Sequence, residues 1–397
     1  MYYFCFMIKR QIADKLLEIA KEYPVLTITG PRQSGKTTLA KALFADYDYV
    51  SLDNPNMRLQ AVDDPNGFLK NHPGKCIIDE IQHFPELLSY IQTTVDKEKI
   101  EGRFVLIGSQ NHLLQEKISQ ILVDRTKVVK LLPLSQMELD NLENFSPDDY
   151  EEIVFKGFYP AIYDNDIAPK EFFPSYIETL VNRDVRQIQN IRHLTVFTHF
   201  LKLCAGRTGQ ILDYSALARD AGISVNTAKE WISILVACYV VFLLQPYHKN
   251  FGKRLIKTPK LYFYDTGLLS YLLNIRDKTQ LNTHYLKGNI FENFILLELL
   301  KYRTNKGLPS NIYFWRDNSR NEIDCLVDGT IPEVIEIKSG KTFTKDFIKQ
   351  VHFWKRLTGY DSNTFYVVYG GDDSFKFLTY VYSWRNLPKL FSNLRSF

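Results

Sequence analysis

The sequence predicts an α/β protein of several domains. A parallel sheet around a phosphate-binding loop comes first, a winged-helix-like middle follows, and a smaller α/β unit closes the chain. Three observations carry that prediction. Gly30, Gly35, Lys36 and Thr37 fit G-x-x-x-x-G-K-[ST] within PVLTITGPRQSGKTTLAKAL. Short apolar, β-branched runs then alternate with helical patterns, which means a parallel sheet covered on both faces. Three more strand-like runs lie near the C-terminus, the last bearing Glu336 and Lys338 on one face.

The loop sits in the right context. Val25-Leu26-Thr27-Ile28-Thr29 reads as a buried strand, and Thr37 to Leu43 as a helix. Strand, Gly-rich turn and helix N-terminus leave backbone N–H groups free to surround a polyphosphate. Gly30, Pro31, Arg32, Gln33, Ser34, Gly35, Lys36, Thr37 and Thr38 form the expected cradle. Lys36 would reach the β- and γ-phosphates of ATP, and the Thr37 hydroxyl would bind Mg²⁺.

Composition sets bounds on the rest. With 397 residues the chain is long enough for two or three cores. A formal charge of +4 permits nucleic-acid binding without arguing for it, because a local basic surface is what counts. Cys5, Cys76, Cys204, Cys238 and Cys325 are scattered with no C-x-x-C pair, as expected of free thiols in a reduced, cytoplasmic protein. The longest uncharged apolar run, Trp231 to Leu244, is shorter than the ~20 residues of a membrane helix, so no membrane partner is expected. The opening MYYFCFM lacks preceding basic residues and a small-residue cleavage site, so no signal peptide is expected.

An amphipathic helix, Ile8 to Lys21, leads into the first strand. Tyr47 to Leu52 is a second strand and Met57 to Leu69 a helix. Lys75 to Ile81 is an apolar strand ending in Asp79 and Glu80, and Pro85 to Asp96 is helical. Arg103 to Gln110 and Val128 to Leu132 complete the strands. Ligands of such sheets bind at the carboxyl ends of the strands, where the loop, Asp79-Glu80 and Ser109-Gln110 all fall. Asp79 would hold the Mg²⁺ shell, Glu80 would polarise the attacking water, and Gln110 or Ser109 would contact the γ-phosphate. Arg125 is a candidate arginine finger across a subunit interface of a homo-oligomer; the alternative is a surface arginine. Gln136 to about Arg192 reads as a helical lid, in which Arg183 is a second phosphate-sensing candidate.

Tyr214 to Asp220, a turn at Ala221-Gly222-Ile223-Ser224, and Val225 to Ala237 have helix-turn-helix spacing. Strands Tyr239–Gln245 and Lys260–Tyr264 then flank HKNFGKRLIKTPK, whose Lys249, Lys253 and Arg254 suit DNA phosphates. The would-be recognition helix offers only Lys229 as a cation, so a purely structural domain is the alternative. Near Gly288 the last unit begins with an apolar helix carrying Glu292. Strands Ile312–Arg316, Glu322–Val327 and Glu333–Lys338 follow. Asp324, then Glu336-x-Lys338, with Glu292 nearby, is the arrangement of Mg²⁺-dependent nucleases: carboxylates hold the metal and the Lys orients or deprotonates water. Lys338 neutralising buried carboxylates in a non-catalytic domain is the other reading.

GPRQSGKTTL at 30–39, IIDEIQHFPELL at 77–88, LIGSQNHLL at 106–114, LVNRDV at 180–185, FWRDNSRNEIDCLV at 314–327 and EVIEIKSGK at 333–341 together resemble prokaryotic AAA-type ATPases with a C-terminal domain of unknown function. The resemblance implies an AAA-like nucleotide domain over 1–135, a lid over 136–195, a winged-helix-like domain over 196–283, and a domain over 284–397 similar to the PD-(D/E)XK restriction-endonuclease fold. Many relatives read Gly-Ser-Ser where this chain has Gly108-Ser109-Gln110, and often a Gly where Asp124 precedes Arg125. The expected protein binds and hydrolyses ATP with Mg²⁺ and acts on, or is regulated by, nucleic acid, with DNA as the candidate partner of the middle and C-terminal domains. The alternative is a nucleotide-dependent regulatory protein whose C-terminal domain binds a partner and cuts nothing.

Overall fold

The structure, a computed structural model, describes residues 8–109, 117–118, 120–143, 145–185, 194–247, 256–360 and 364–394. Helix α1 (Ala13–Glu22) buries Leu16, Ile19 and Ala20 on one face and delivers the chain to β1 (Val25–Thr29). After the loop come α2 (Lys36–Leu43), β2 (Asp48–Ser51), α3 (Pro55–Asp63), α4 (Pro65–Lys70), β3 (Cys76–Asp79), α5 (Leu87–Glu98), β4 (Phe104–Gly108) and β5 (Thr126–Lys130). The strands form one sheet in the order β2-β3-β4-β1-β5, every pair parallel. Their carboxyl ends therefore share one edge, and the loop, Asp79 and Ser109 follow β1, β3 and β4 there.

Two expectations change in detail. The single helix expected over 57–69 is two, because Pro65 has no N–H to continue α3; Asp64 instead accepts from the Gly67 N–H at 2.9 Å and caps α4. The fifth strand runs Thr126–Lys130 rather than Val128–Leu132, since it pairs with β1 from Val25 to Thr29, where β1 turns into the loop.

The next helices are α6 (Gln136–Leu139), α7 (Tyr150–Lys156), α8 (Pro160–Asp164) and α9 (Pro169–Thr179), with a π-helical turn at Leu180–Val185. They differ from a lid lying on the nucleotide domain. Phe158, Phe173 and Tyr176 share one core with Leu201, Leu269 and Phe294, so these helices are built into the middle of the molecule. That middle contains α10 (Leu194–Ala205), α11 (Tyr214–Ala221), α12 (Val225–Ala237), an antiparallel hairpin of β6 (Val241–Leu244) and β7 (Lys260–Phe263), and α13 (Thr266–Leu272). Asp213 caps α11, Gly222 ends it at φ 66°, and Ser224 caps α12, as the turn residues imply.

Helix α14 (Lys287–Asn305) is buried over most of its surface and runs beneath a second sheet. Its strands are β8 (Ile312–Arg316), β9 (Glu322–Val327), β10 (Glu333–Lys338), β11 (Phe365–Tyr369), β12 (Phe375–Lys376) and β13 (Tyr380–Ser383), in the order β12-β13-β11-β10-β9-β8. Strands β8 to β10 form an antiparallel meander, α15 (Lys349–Thr358) returns the chain to a parallel β11, and α16 (Leu387–Asn393) closes it. The bounds of β8, β9 and β10 are those read from the sequence. The edge of β8 also receives the middle domain: Tyr247 N–H donates to Phe314 O at 2.7 Å and Ile256 N–H to Arg316 O at 3.2 Å. Cys76, Cys204, Cys238 and Cys325 are buried free thiols.

Candidate functional site

The loop between β1 and α2 curls through left-handed backbone at Gln33 (φ 61°) and Gly35 (φ 89°), with Gly30 at φ 145°. Gly30 is required twice over, because a Cβ there would overlap the Leu131 carbonyl oxygen. No side chain caps α2, so its first amides face the loop. Lys36, 8% exposed, turns its ammonium back into the loop and donates to Gly30 O at 3.1 Å and Pro31 O at 2.7 Å.

Across from it, the Thr37 hydroxyl donates to Asp79 Oδ2 at 2.7 Å, and the Tyr49 hydroxyl donates to the same oxygen at 2.9 Å. Burial and the Asp79 charge push the Tyr49 hydroxyl up to about 12, so it remains a donor. A hydroxyl and a carboxylate converging beside an ammonium-lined anion cradle fit a Mg²⁺-bound nucleotide. Glu80 follows in left-handed backbone (φ 56°), which swings its side chain away from the strand line. Gln82 Nε2 donates to Glu80 Oε2 and, at 3.1 Å, to Ser109 Oγ; Ser109 Oγ lies 3.4 Å from Glu80 Oε2. Ser109 thus stands beside Glu80, while Gln110 lies outside the described residues, as do Lys249, Lys253 and Arg254.

The two arginine candidates separate. Arg183 pairs with Asp53, which lies 3.6 Å from His83 Nε2 just after Glu80, so Arg183 reaches the carboxyl edge of the sheet. Burial lowers the His83 pKa, and the nearby Glu80 and Asp53 charges only partly restore it. Arg125 lies at the other edge, where its carbonyl accepts from Val25 N–H at the start of β1, and its guanidinium holds Asp96 at 2.5 Å. The structure does not bring Arg125 to the loop of its own chain.

Arg10 is one residue that sequence reasoning missed. It is buried behind the loop, donating to Ser34 O at 2.8 Å, Leu132 O at 2.7 Å and Glu138 Oε1 at 3.0 Å. Glu138 in turn closes a capping box with Ser135 at the start of α6. S-x-x-E at 135–138 was a readable signal for that cap; nothing local marked Arg10 as its partner.

In the second sheet, Asp324, Glu336 and Lys338 do converge. Lys338 Nζ lies 2.5 Å from Glu336 Oε1 and 3.6 Å from Asp324 Oδ2, while the Ile337 N–H donates to Asp324 Oδ2 at 2.8 Å. Glu336 is 3% exposed and its Oε2 has no hydrogen-bond partner. Burial, then the Asp324 charge, drives its carboxyl pKa well up. Glu292 joins from α14, accepting from Tyr262 at 2.5 Å and from Lys260 at 2.9 Å. Two members went unread in the sequence. Lys260 also pairs with Glu322, and Glu322 holds Arg316 at 3.1 Å. Carboxylate oxygens of Glu292, Glu322 and Asp324 lie within 4.8 Å of one another. An orphaned buried carboxylate oxygen beside three clustered acids fits a hard divalent cation.

Residues 22–140 match the AAA domain family. Over those residues the N-terminal domain is similar to AAA-type P-loop domains. Residues 147–279 and 287–387 match two domains of unknown function, DUF8612 and DUF4143. An uncharacterized protein of Mycobacterium tuberculosis is 29% identical over 345 residues, 85% of this chain and 76% of that one. An uncharacterized protein of Methanocaldococcus jannaschii is 22% identical over 252 residues, 59% of this chain and 52% of that one. Among solved structures, a Walker-type ATPase of Pyrococcus abyssi is similar over 67% of this chain and 96% of its own, at 12% identity and a TM-score of 0.43. A signal-transduction ATPase with a tetratricopeptide sensor from Pyrococcus horikoshii covers 75% of this chain and 48% of its own, at 12% identity and a TM-score of 0.28. Among the described residues, no helix is long and apolar enough to cross a membrane.

Proposed function

We propose that this protein is an ATP-hydrolysing switch whose nucleotide domain governs a nucleic-acid-directed, cation-dependent C-terminal unit. The observation that carries the proposal is the convergence of Lys36, Thr37 and Asp79 at one edge of a parallel sheet. The loop amides and Lys36 bind the phosphates of ATP, which draw the ammonium off the Gly30 and Pro31 carbonyls. Thr37 and Asp79 would hold Mg²⁺, which would supply charge neutralisation to the bound phosphates. Glu80, kept in place by Gln82 and Ser109, orients a water and takes its proton. Arg183 registers the γ-phosphate.

For the C-terminal unit, the nuclease-like reading draws support from Asp324, Glu336 and Lys338 lying together on the second sheet, with Glu292 facing them from α14. Tyr247 and Ile256, which flank the basic segment 248–255 in sequence, hydrogen-bond to β8 next to that cluster, which supports a nucleic-acid path there. A second reading has its own observation. Lys338 and Lys260 already sit against Glu336, Glu292 and Glu322, as in a structural ion-pair network that cuts nothing. Mg·ATP turnover with and without single- and double-stranded DNA tests the proposal. Stimulation by DNA is the expected result, and turnover indifferent to nucleic acid would favour the partner-binding reading.

A further inference from the structure

The acidic cluster of the C-terminal unit is completed by a residue from another part of the chain. Lys260 belongs to β7 of the middle hairpin, is 2% exposed, and places its ammonium between Glu292 and Glu322. The carboxylates of Glu292, Glu322 and Asp324 have oxygens within 4.8 Å of one another, the spacing of ligands around a single small cation. Glu336, with Oε2 unpartnered, adds a fourth acid whose environment is shaped by Asp324 and Glu292.

We propose that Lys260 is a built-in competitor for the divalent cation: in this conformation its ammonium holds the place that Mg²⁺ or Mn²⁺ takes between Glu292, Glu322 and Asp324. The proposal rests on the reading of this cluster as a cation site and adds its regulation. Formal charge agrees. The carboxylates of Glu292, Glu322 and Asp324 face Lys260, Arg316 and Lys338, so withdrawing Lys260 leaves an excess of one negative charge.

The moving part is the side chain and not the strand. Asn293 clamps β7 to α14, accepting from Phe263 N–H at 2.7 Å and donating to Phe263 O at 2.9 Å. The ammonium has somewhere to go: a cleft of about 620 Å³, lined by Gln210, Asn289, Arg316 and Glu322, opens beside it. A phosphodiester entering that cleft would draw Lys260 off the carboxylates and admit the cation in the same movement.

The test is Mn²⁺ binding to the nucleotide-free, full-length protein, followed by the electron paramagnetic resonance of free Mn²⁺. Lys260→Met should bind Mn²⁺ at least ~10-fold more tightly than wild type, since an opposing charge within a few Å is gone. Adding Glu322→Gln should abolish the gain, whereas a site made by Asp324 and Glu336 alone would keep it. If wild type and Lys260→Met bind equally, Lys260 does not compete and the proposal fails while the cation site stands. If neither binds, the cation reading fails and takes the proposal with it. Should Lys260→Met not fold, Lys260→Gln, which keeps a donor but no charge, is read in the same assay with the same outcomes.

Discussion

Arg10 ties three elements together through one guanidinium, holding the phosphate loop at Ser34, the strand exit at Leu132 and the α6 cap at Glu138. Removing one partner of a buried ion pair leaves the other charge uncompensated, at a cost of roughly 3–5 kcal/mol. Arg10→Met should therefore lower the unfolding free energy by about 3 kcal/mol in a denaturant titration and weaken ATP binding as the loop loosens. Adding Glu138→Gln should recover part of the stability, because the stranded charge goes with it. A loss below about 0.5 kcal/mol for Arg10→Met would show that water replaces the guanidinium and that the brace is incidental. The contrast with Lys36 explains what a sequence reveals at this scale. Lys36 is fixed by a motif a few residues long, so its role was legible. Arg10 meets Glu138 across 128 positions, and Lys260 looks like the polar first residue of an apolar strand. Long-range pairing of that kind leaves no local pattern.

At the scale of elements, legibility followed chemistry that is local to the chain. Strands β1, β8, β9 and β10 were read to the residue because apolar runs and flanking polar residues set their bounds. The α3–α4 break depended on Pro65, whose missing N–H outweighs the helical periodicity around it. The middle helices were harder, since apolar faces on α7 to α9 say that something is covered without saying what; the fold covers them with α13 and α14. The hairpin of β6 and β7 makes its own prediction. Replacing Lys249, Lys253 and Arg254 with Ala should weaken DNA binding and lower the log–log salt slope by about 0.9 for each lost phosphate contact. A filter-binding series across salt concentration checks this, and an unchanged slope would move the nucleic-acid surface elsewhere on the chain.

The whole molecule joins its two candidate sites through one helix. Glu138, which braces Arg10 behind the loop, lies on α6; the Gln136 N–H of α6 donates to Glu298 of α14 at 2.8 Å, and Lys301 reaches back to Leu134 O at 2.7 Å. Glu292, two turns earlier on α14, stands in the acidic cluster of the second sheet. If that cluster cleaves, Mg²⁺- or Mn²⁺-dependent nicking of plasmid DNA should vanish in Glu336→Ala while ATP turnover persists. Nicking that survives the substitution would mean another centre or a contaminant.

The central claim concerns the first sheet, and ATP binding together with single-turnover hydrolysis tests it most directly. Wild type, Lys36→Ala and Glu80→Gln are compared in one experiment. Lys36→Ala should lose tight ATP binding, because the cation facing the β- and γ-phosphates is gone. Glu80→Gln should bind ATP as wild type does and hydrolyse it at least ~100-fold more slowly, the scale of a lost general base. Wild-type hydrolysis by Lys36→Ala, or equal loss of affinity in both variants, would contradict the account.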